Sequence, residues 1–148
     1  MKLIIRKIRT IDHPEVINLI KAFYREDTEG LPTNIRKIRK TFRHLQNSRR
    51  GEIIVAKMNN KVVAYSILAN YWSNEYGGNI LHIDELYVAA DYRSHGIGTR
   101  MLKYIKKEYG QDAKALMLEV IPSNTRAEHL YNKMGFKPVR NKFFIQKI

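Results

Sequence analysis

The stretch LYVAADYRSHGIGTRML, residues 86–102, changes character halfway along. Its first residues are apolar and strand-like, whereas Met101, Leu102, Ile105 and Tyr109 recur at helical spacing. Between these halves Gly96 and Gly98 flank one isoleucine, although the chain has only 8 glycines in 148 residues. A strand running through a glycine turn into a helix builds an anion site. The first helical turn leaves backbone N–H groups unpaired, and the macrodipole places partial positive charge there. Glycine has no Cβ, so the backbone can curl and a phosphate can come close. Gly96, Ile97, Gly98 and Thr99 offer consecutive donors, with Arg93 and Arg100 adding charge. The spacing fits neither the Walker loop nor G-x-G-x-x-G.

Outward from this loop, the chain alternates strand and helix signals. LIIRKIR (residues 3–9) predicts a first strand. DHPEVINLIKAF opens a helix, with Asp12 as N-cap, Pro14 in the first turn and Glu15 reaching back. A polar connection carrying Glu26, Asp27 and Glu29 leads to RKIRKTFRHLQNSRR, residues 36–50, a basic helix whose Ile38, Phe42 and Leu45 share one face. EIIVAKM and KVVAYSILANYWS flank Asn59-Asn60 and read as a hairpin. NILHIDELYV is a further strand, ALMLEVI a short apolar one, and TRAEHLYNKM a helix capped at Gly135. FKPVRNKFFIQKI closes with strand-like residues, one or two strands in all. The order predicts an α+β fold: a mixed, largely antiparallel sheet of six or seven strands flanked by about four helices.

Composition bounds the rest. The length suits one domain over residues 1–148, and 44% apolar residues suffice for a core. Without cysteine, a thiolate metal site or a cysteine nucleophile is excluded, and the five histidines show no ligand spacing, so no metal is expected. No apolar run approaches a signal peptide or a membrane span, so a soluble, cytoplasmic chain is expected. The net charge of +13 attracts polyanions, whether nucleic acid, an anionic membrane or a phosphorylated cofactor, and much of it lies in residues 36–50.

IDELYVAADYRSHGIGTRML followed by LEVIPSNTRAEHLYNKMGF resembles the GNAT superfamily of acyl-CoA-dependent N-acetyltransferases. Arg93, Gly96 and Gly98 meet its R/Q-x-x-G-x-G/A loop; Asn124, Ala127, Leu130, Tyr131, Gly135 and Phe136 meet its second segment. The pattern around the loop is closest to diamine and polyamine acetyltransferases. The resemblance implies that acetyl-CoA, the acyl donor, lies between two splayed parallel strands. Its pyrophosphate would sit on Arg93, Ser94, His95, Gly96, Ile97, Gly98 and Thr99. Its pantetheine would run along the backbone of Leu86, Tyr87 and Val88, with an N–H near Leu86 polarising the thioester. Tyr131 becomes the general acid for the departing thiolate. Thr125 with Glu128 forms a capping box, which leaves the Asn124 amide for the pantetheine.

The attacking amine needs a base, and Asp84 and Glu85 are the candidates. In a regular strand only one of two neighbours faces the cleft, and a bulge brings in both. The resemblance implies an acidic residue nine positions before Arg93, which is Asp84, as base or amine anchor, with Glu85 named beside it. For the acceptor, Glu26, Asp27, Glu29 and Asp84 offer carboxylates, and Tyr71, Trp72 and Tyr76 aromatic walls. The acceptor is a small-molecule or peptide amine, a polyamine or other cationic amine among them, and a homodimer is left open. Two other readings remain. A nucleic-acid-binding protein using residues 36–50 would bind with steep salt dependence and leaves the glycine loop unexplained. A non-catalytic acyl-CoA-binding GNAT fold leaves Tyr131 and the acidic pair unused.

Overall fold

The computed structural model describes residues 2–27 and 30–148. β1 (Leu3–Lys7) leads through a short turn to α1 (His13–Glu26) and α2 (Ile35–Leu45). β2 (Gly51–Met58), β3 (Lys61–Ser73) and β4 (Gly78–Val88) form an antiparallel meander. α3 (Ile97–Tyr109), β5 (Ala113–Leu118) and α4 (Thr125–Lys133) follow. The sheet order is β1-β2-β3-β4-β5, antiparallel except for the parallel β4–β5 pair. Asn59 and Asn60 both take positive φ (50° and 63°), the backbone of a two-residue hairpin turn.

Both faces of the sheet are covered. Ile53 and Val55 pack with Val16 and Ile20 of α1 and Ile38, Phe42 and Leu45 of α2. Ile54 and Ala56, which alternate with them, pack with Ile97, Met101, Leu102 and Ile105 of α3. Burial on both sides is why β2 reads as an unbroken apolar run rather than an alternating one. No helix among the described residues is long and apolar enough to cross a membrane.

Among the described residues the sheet has five strands, not six or seven. Residues 136–148 form no strand, and Val139, Phe143, Phe144, Ile145 and Ile148 stand exposed. Pro138 lacks a ladder N–H, and the consecutive Phe143, Phe144 and Ile145 cannot all face one side. Asp12 likewise departs from its expected role. Its carboxylate leaves the α1 amides alone and instead pairs with Arg6 (2.7 Å) and Lys57 (3.3 Å) and accepts from the Arg9 N–H. Burial alone would raise this carboxyl; the three donors outweigh it and hold it at about 2. Glu15 accepts from the Val62 N–H at 2.9 Å, so it braces α1 against the hairpin rather than closing a capping box.

Candidate active site

The site begins where β4 and β5 part. Their parallel pairing runs from Asn79↔Ala113 to Ile83↔Leu118 and stops, while β4 continues to Val88. Residues 84–88 therefore have β3 on one side and no strand on the other. The break coincides with a β-bulge. Ile67 pairs with Glu85 and Leu68 with Ile83, which leaves Asp84 as the extra residue. A bulge bends and twists its strand, and here it does so at the point where the two strands separate. A cavity of about 860 Å³ fills the opening, lined by Leu86, Tyr87 and Val88, by the start of α3, by residues 119–121 and by Asn124 and Tyr131.

At one end of this cavity lies the glycine loop. Ser94 and Gly96 both adopt left-handed backbone (φ 64° and 74°), and Gly96 is the N-cap of α3. The first helical hydrogen bond is Arg100 N–H to the Gly96 carbonyl (3.0 Å), so among the described residues the amides of Ile97, Gly98 and Thr99 have no carbonyl partner. A Cβ added at Gly96 would meet no protein atom within 4 Å; it would point into open space at the helix mouth. At Gly98 it would lie 3.1 Å from Leu130 Cδ2, so that glycine lets α4 close on α3. Alternating backbone handedness with convergent amides makes a concave anion nest, and these residues fit a diphosphate. Ser94, Gly96, Ile97, Gly98 and Thr99 line the cavity. His95 does not; it is exposed, and its Nδ1 donates to the Arg93 carbonyl (2.7 Å).

Glu85 occupies the acidic end of the cavity. Tyr65 donates to its Oε1 at 2.7 Å and Tyr24 to its Oε2 at 2.8 Å, while its own carbonyl accepts from Ser66 Oγ at 2.8 Å. Burial pushes this carboxyl above the usual glutamate range; the two phenols oppose that push, and nearby Asp84 and Asp27 add to it. Both phenols are themselves driven up by burial and by the carboxylate, so they stay protonated donors. A half-buried carboxylate with two fixed donors and a raised pKa is suited to taking a proton from an ammonium. Asp84, one residue earlier, is exposed and also lines the cavity.

Arg93 ties the two ends together. Its guanidinium contacts Glu26 Oε2 (2.7 Å), its Nε donates to the Val88 carbonyl (2.9 Å), and it lies 5.2 Å above the Tyr87 ring. Tyr87 donates to the other Glu26 oxygen at 2.9 Å. Glu26 is thus held as the brace between α1 and the glycine loop, and Arg93 turns its charge toward Glu26. Arg100 reaches the Leu3 carbonyl (3.5 Å).

From α4, Tyr131 lines the cavity with its ring 5.9 Å from Phe136, and burial raises its phenol. Asn124, not Thr125, caps α4: its Oδ1 accepts from the Ala127 N–H (3.2 Å). The amide NH₂ of Asn124 is left for the cavity. Asp27 borders the cavity as well, whereas Glu29 lies outside the described residues. Tyr71 and Trp72 are not brought to the cavity. They pair with Ile80 and Asn79 at the far end of β4, about 15 Å of strand from Glu85. Tyr71 donates to Met117 Sδ there (3.4 Å), and Trp72 is exposed.

Sequence reasoning missed Tyr24 and Tyr65. The one available signal was a tyrosine inside the otherwise apolar VVAYSIL, since a buried phenol hydroxyl requires a partner.

The profile of the acetyltransferase (GNAT) family matches residues 14–136. An uncharacterised N-acetyltransferase of Methanocaldococcus jannaschii is 34% identical over 85 residues, 56% of this chain and 51% of that protein. The chain thus spans about half the length of that relative. An uncharacterised N-acetyltransferase of Bacillus subtilis is 27% identical over 139 residues, 90% of this chain and 89% of that one. The fold matches a crystal structure of a Clostridium difficile 630 protein described as a possible acetyltransferase, with TM-score 0.84, 24% identity and coverage of 100% and 99%. The parted parallel strands, the bare amides of α3 and the family match agree, and the chain belongs to the acetyltransferase (GNAT) family.

Proposed function

We propose that the chain transfers an acetyl group from acetyl-CoA to a primary amine, by direct attack with both substrates bound together. The observation that carries this reading is continuity: one cavity joins the bare amides of α3, the open edge of β4, Tyr131 and Glu85. The amides of Ile97, Gly98 and Thr99 hold the diphosphate. Leu86 and Val88 offer backbone to the pantetheine, and Asn124 its free amide NH₂; because Arg93 occupies the Val88 carbonyl, Leu86 carries more of that pairing, while the Tyr87 backbone faces β3 as Ala89 does. Acetyl-CoA supplies the thioester.

Glu85 takes a proton from the ammonium, directly or through water, and Asp84 and Asp27 anchor that charge at the mouth. The amine lone pair then forms the C–N bond as the C–S bond breaks, and the Tyr131 hydroxyl gives its proton to the leaving thiolate. The second proton of the nitrogen returns to the Tyr131 oxygen, directly or through water, while Glu85 releases its own to solvent. Proximity does much of the work, because both reactants are held in one cleft. With no cysteine in the chain, the acetyl group has no thiol on which to pause. The ammonium group of the acceptor satisfies the carboxylate end.

Thiol release from acetyl-CoA across polyamines, aminoglycosides, amino acids and peptides tests the reading. Turnover of at least one amine is expected; release with none, alongside acetyl-CoA binding, would leave a non-catalytic binding fold. Tyr131→Phe should lower kcat at least tenfold and leave acetyl-CoA affinity within twofold, by steady-state kinetics and calorimetry. The hydroxyl has no protein partner among the described residues, so its loss orphans nothing. Unchanged kcat would remove Tyr131 from the proton path.

A further inference from the structure

The basic helix α2 is not used by the cleft described so far, yet it borders a second cavity of about 820 Å³ that shares one lining residue, Asp84, with the first. Lys40, Arg43 and His44 of α2 line it with Arg50, and Asp84, which also lines the acetyl-transfer cavity, stands at its edge. Ile67 and Ala69 form part of its floor; at alternate positions along β3 they share the sheet face of Tyr65, which holds Glu85. The second cavity thus shares Asp84 with the acidic side of the cleft, on the sheet face of Tyr65.

Its charges are divided: Asp84, next to Glu85 in sequence, is the one lining residue it shares with the cleft, and Lys40, Arg43 and Arg50 line the rest. Among the described residues none of these three cations is in an ion pair. α2 carries five Lys and Arg residues and no carboxylate to neutralise them. Arg50 is fixed in place: its carbonyl accepts from the Asn70 N–H (2.8 Å), its N–H donates to Ser48 Oγ (3.1 Å), and its guanidinium contacts His44 Nδ1 (3.3 Å). A guanidinium only donates, so His44 Nδ1 is the acceptor in this contact.

We infer that this second cavity is an acceptor subsite for the carboxylate side chains of an acidic peptide whose amine is delivered past Asp84 to Glu85. The ligand that matches this division of charge has an ammonium first and carboxylates next. A polyamine repeats positive charge and meets the three cations unfavourably. A nucleic-acid strand repeats negative charge and would bring phosphates against Asp84 and Glu85. The cavity is also of the size that takes a few side chains, not an extended stripe along a backbone. The inference rests on the acetyl-transfer reading only in calling the peptide an acceptor; binding can be measured without turnover.

The test uses the full chain and two peptides with free N-termini, one carrying Asp and Glu at the second to fourth positions and one carrying Lys and Arg there. Each bears a dye at its C-terminus, and fluorescence anisotropy is read at 0.15 M salt, where screening confines charge effects to about 8 Å. The acidic peptide should bind at least tenfold tighter than its basic counterpart. Arg43→Glu and, separately, Lys40→Glu, both on the exposed face of α2, should each weaken it at least fivefold. In thiol-release kinetics these variants should raise KM for the acidic peptide and leave KM for acetyl-CoA unchanged. Equal binding of the two peptides overturns the subsite, as does indifference to both substitutions. An RNA oligomer of equal charge binding tighter than the acidic peptide overturns it in favour of nucleic acid. Acidic-peptide binding with no thiol release from any amine would sink the acetyl-transfer reading while leaving the subsite standing; turnover with no acidic preference would do the reverse.

Discussion

Glu85→Gln should lower kcat at least 100-fold while leaving acetyl-CoA affinity and thermal stability nearly unchanged. The amide has the shape of the carboxyl: its one oxygen still accepts from one phenol and its NH₂ donates to the oxygen of the other, but it cannot take a proton. Removing a positioned base typically costs 10²–10⁴-fold. The pH profile gives a second reading of the same group. Burial raises the Glu85 carboxyl, so the acid limb of kcat should lie above the ordinary glutamate range, with activity falling as pH drops through it. Each phenol favours the charged form. Tyr65→Phe should therefore move that limb to still higher pH, and Tyr24→Phe should move it in the same direction. A kcat within threefold of the parent in Glu85→Gln would pass the base role to Asp84, with Asp84→Asn as the deciding variant.

Gly96→Val should weaken acetyl-CoA binding at least 100-fold by calorimetry. Two effects add. The residue sits at φ 74°, where a branched side chain is strained by about 1–2 kcal/mol or more. The new side chain also grows into the open space at the helix mouth, where the diphosphate must come close. Gly96→Asn separates them, because asparagine tolerates left-handed backbone yet still fills that space. It should keep the thermal stability of the parent and lose most of the affinity. Undiminished binding in both variants would mean that the diphosphate lies elsewhere.

What the sequence revealed and what it hid follow the range of the interactions. The glycine turn into α3, the Asn59-Asn60 hairpin and the burying face of α2 are local patterns, and each reads directly from spacing. The bulge at Asp84 could be allowed for but not located, because it is a property of the register between β3 and β4. The holder of Glu85 was hidden for the same reason: Tyr24 and Tyr65 lie 61 and 20 residues away along the chain. Asn124 took the cap from Thr125, a shift of one residue that spacing alone does not resolve. Glu26 read as an acceptor anchor from its place in an acidic loop, yet folding sets Arg93 and Tyr87 against it. The C-terminal FKPVRNKFFIQKI has strand-like composition, but composition does not supply a pairing partner.

The most direct measurement of the central claim compares acetyl-CoA with acetyl-pantetheine, which keeps the thioester and lacks the diphosphate. If the bare amides of α3 cradle that diphosphate, several charge-assisted hydrogen bonds are at stake, each worth about 1.5–3 kcal/mol. Calorimetry should then find acetyl-CoA binding at least 100-fold tighter. Equal affinities for the two would contradict the claim that the mouth of α3 positions the thioester beside Glu85.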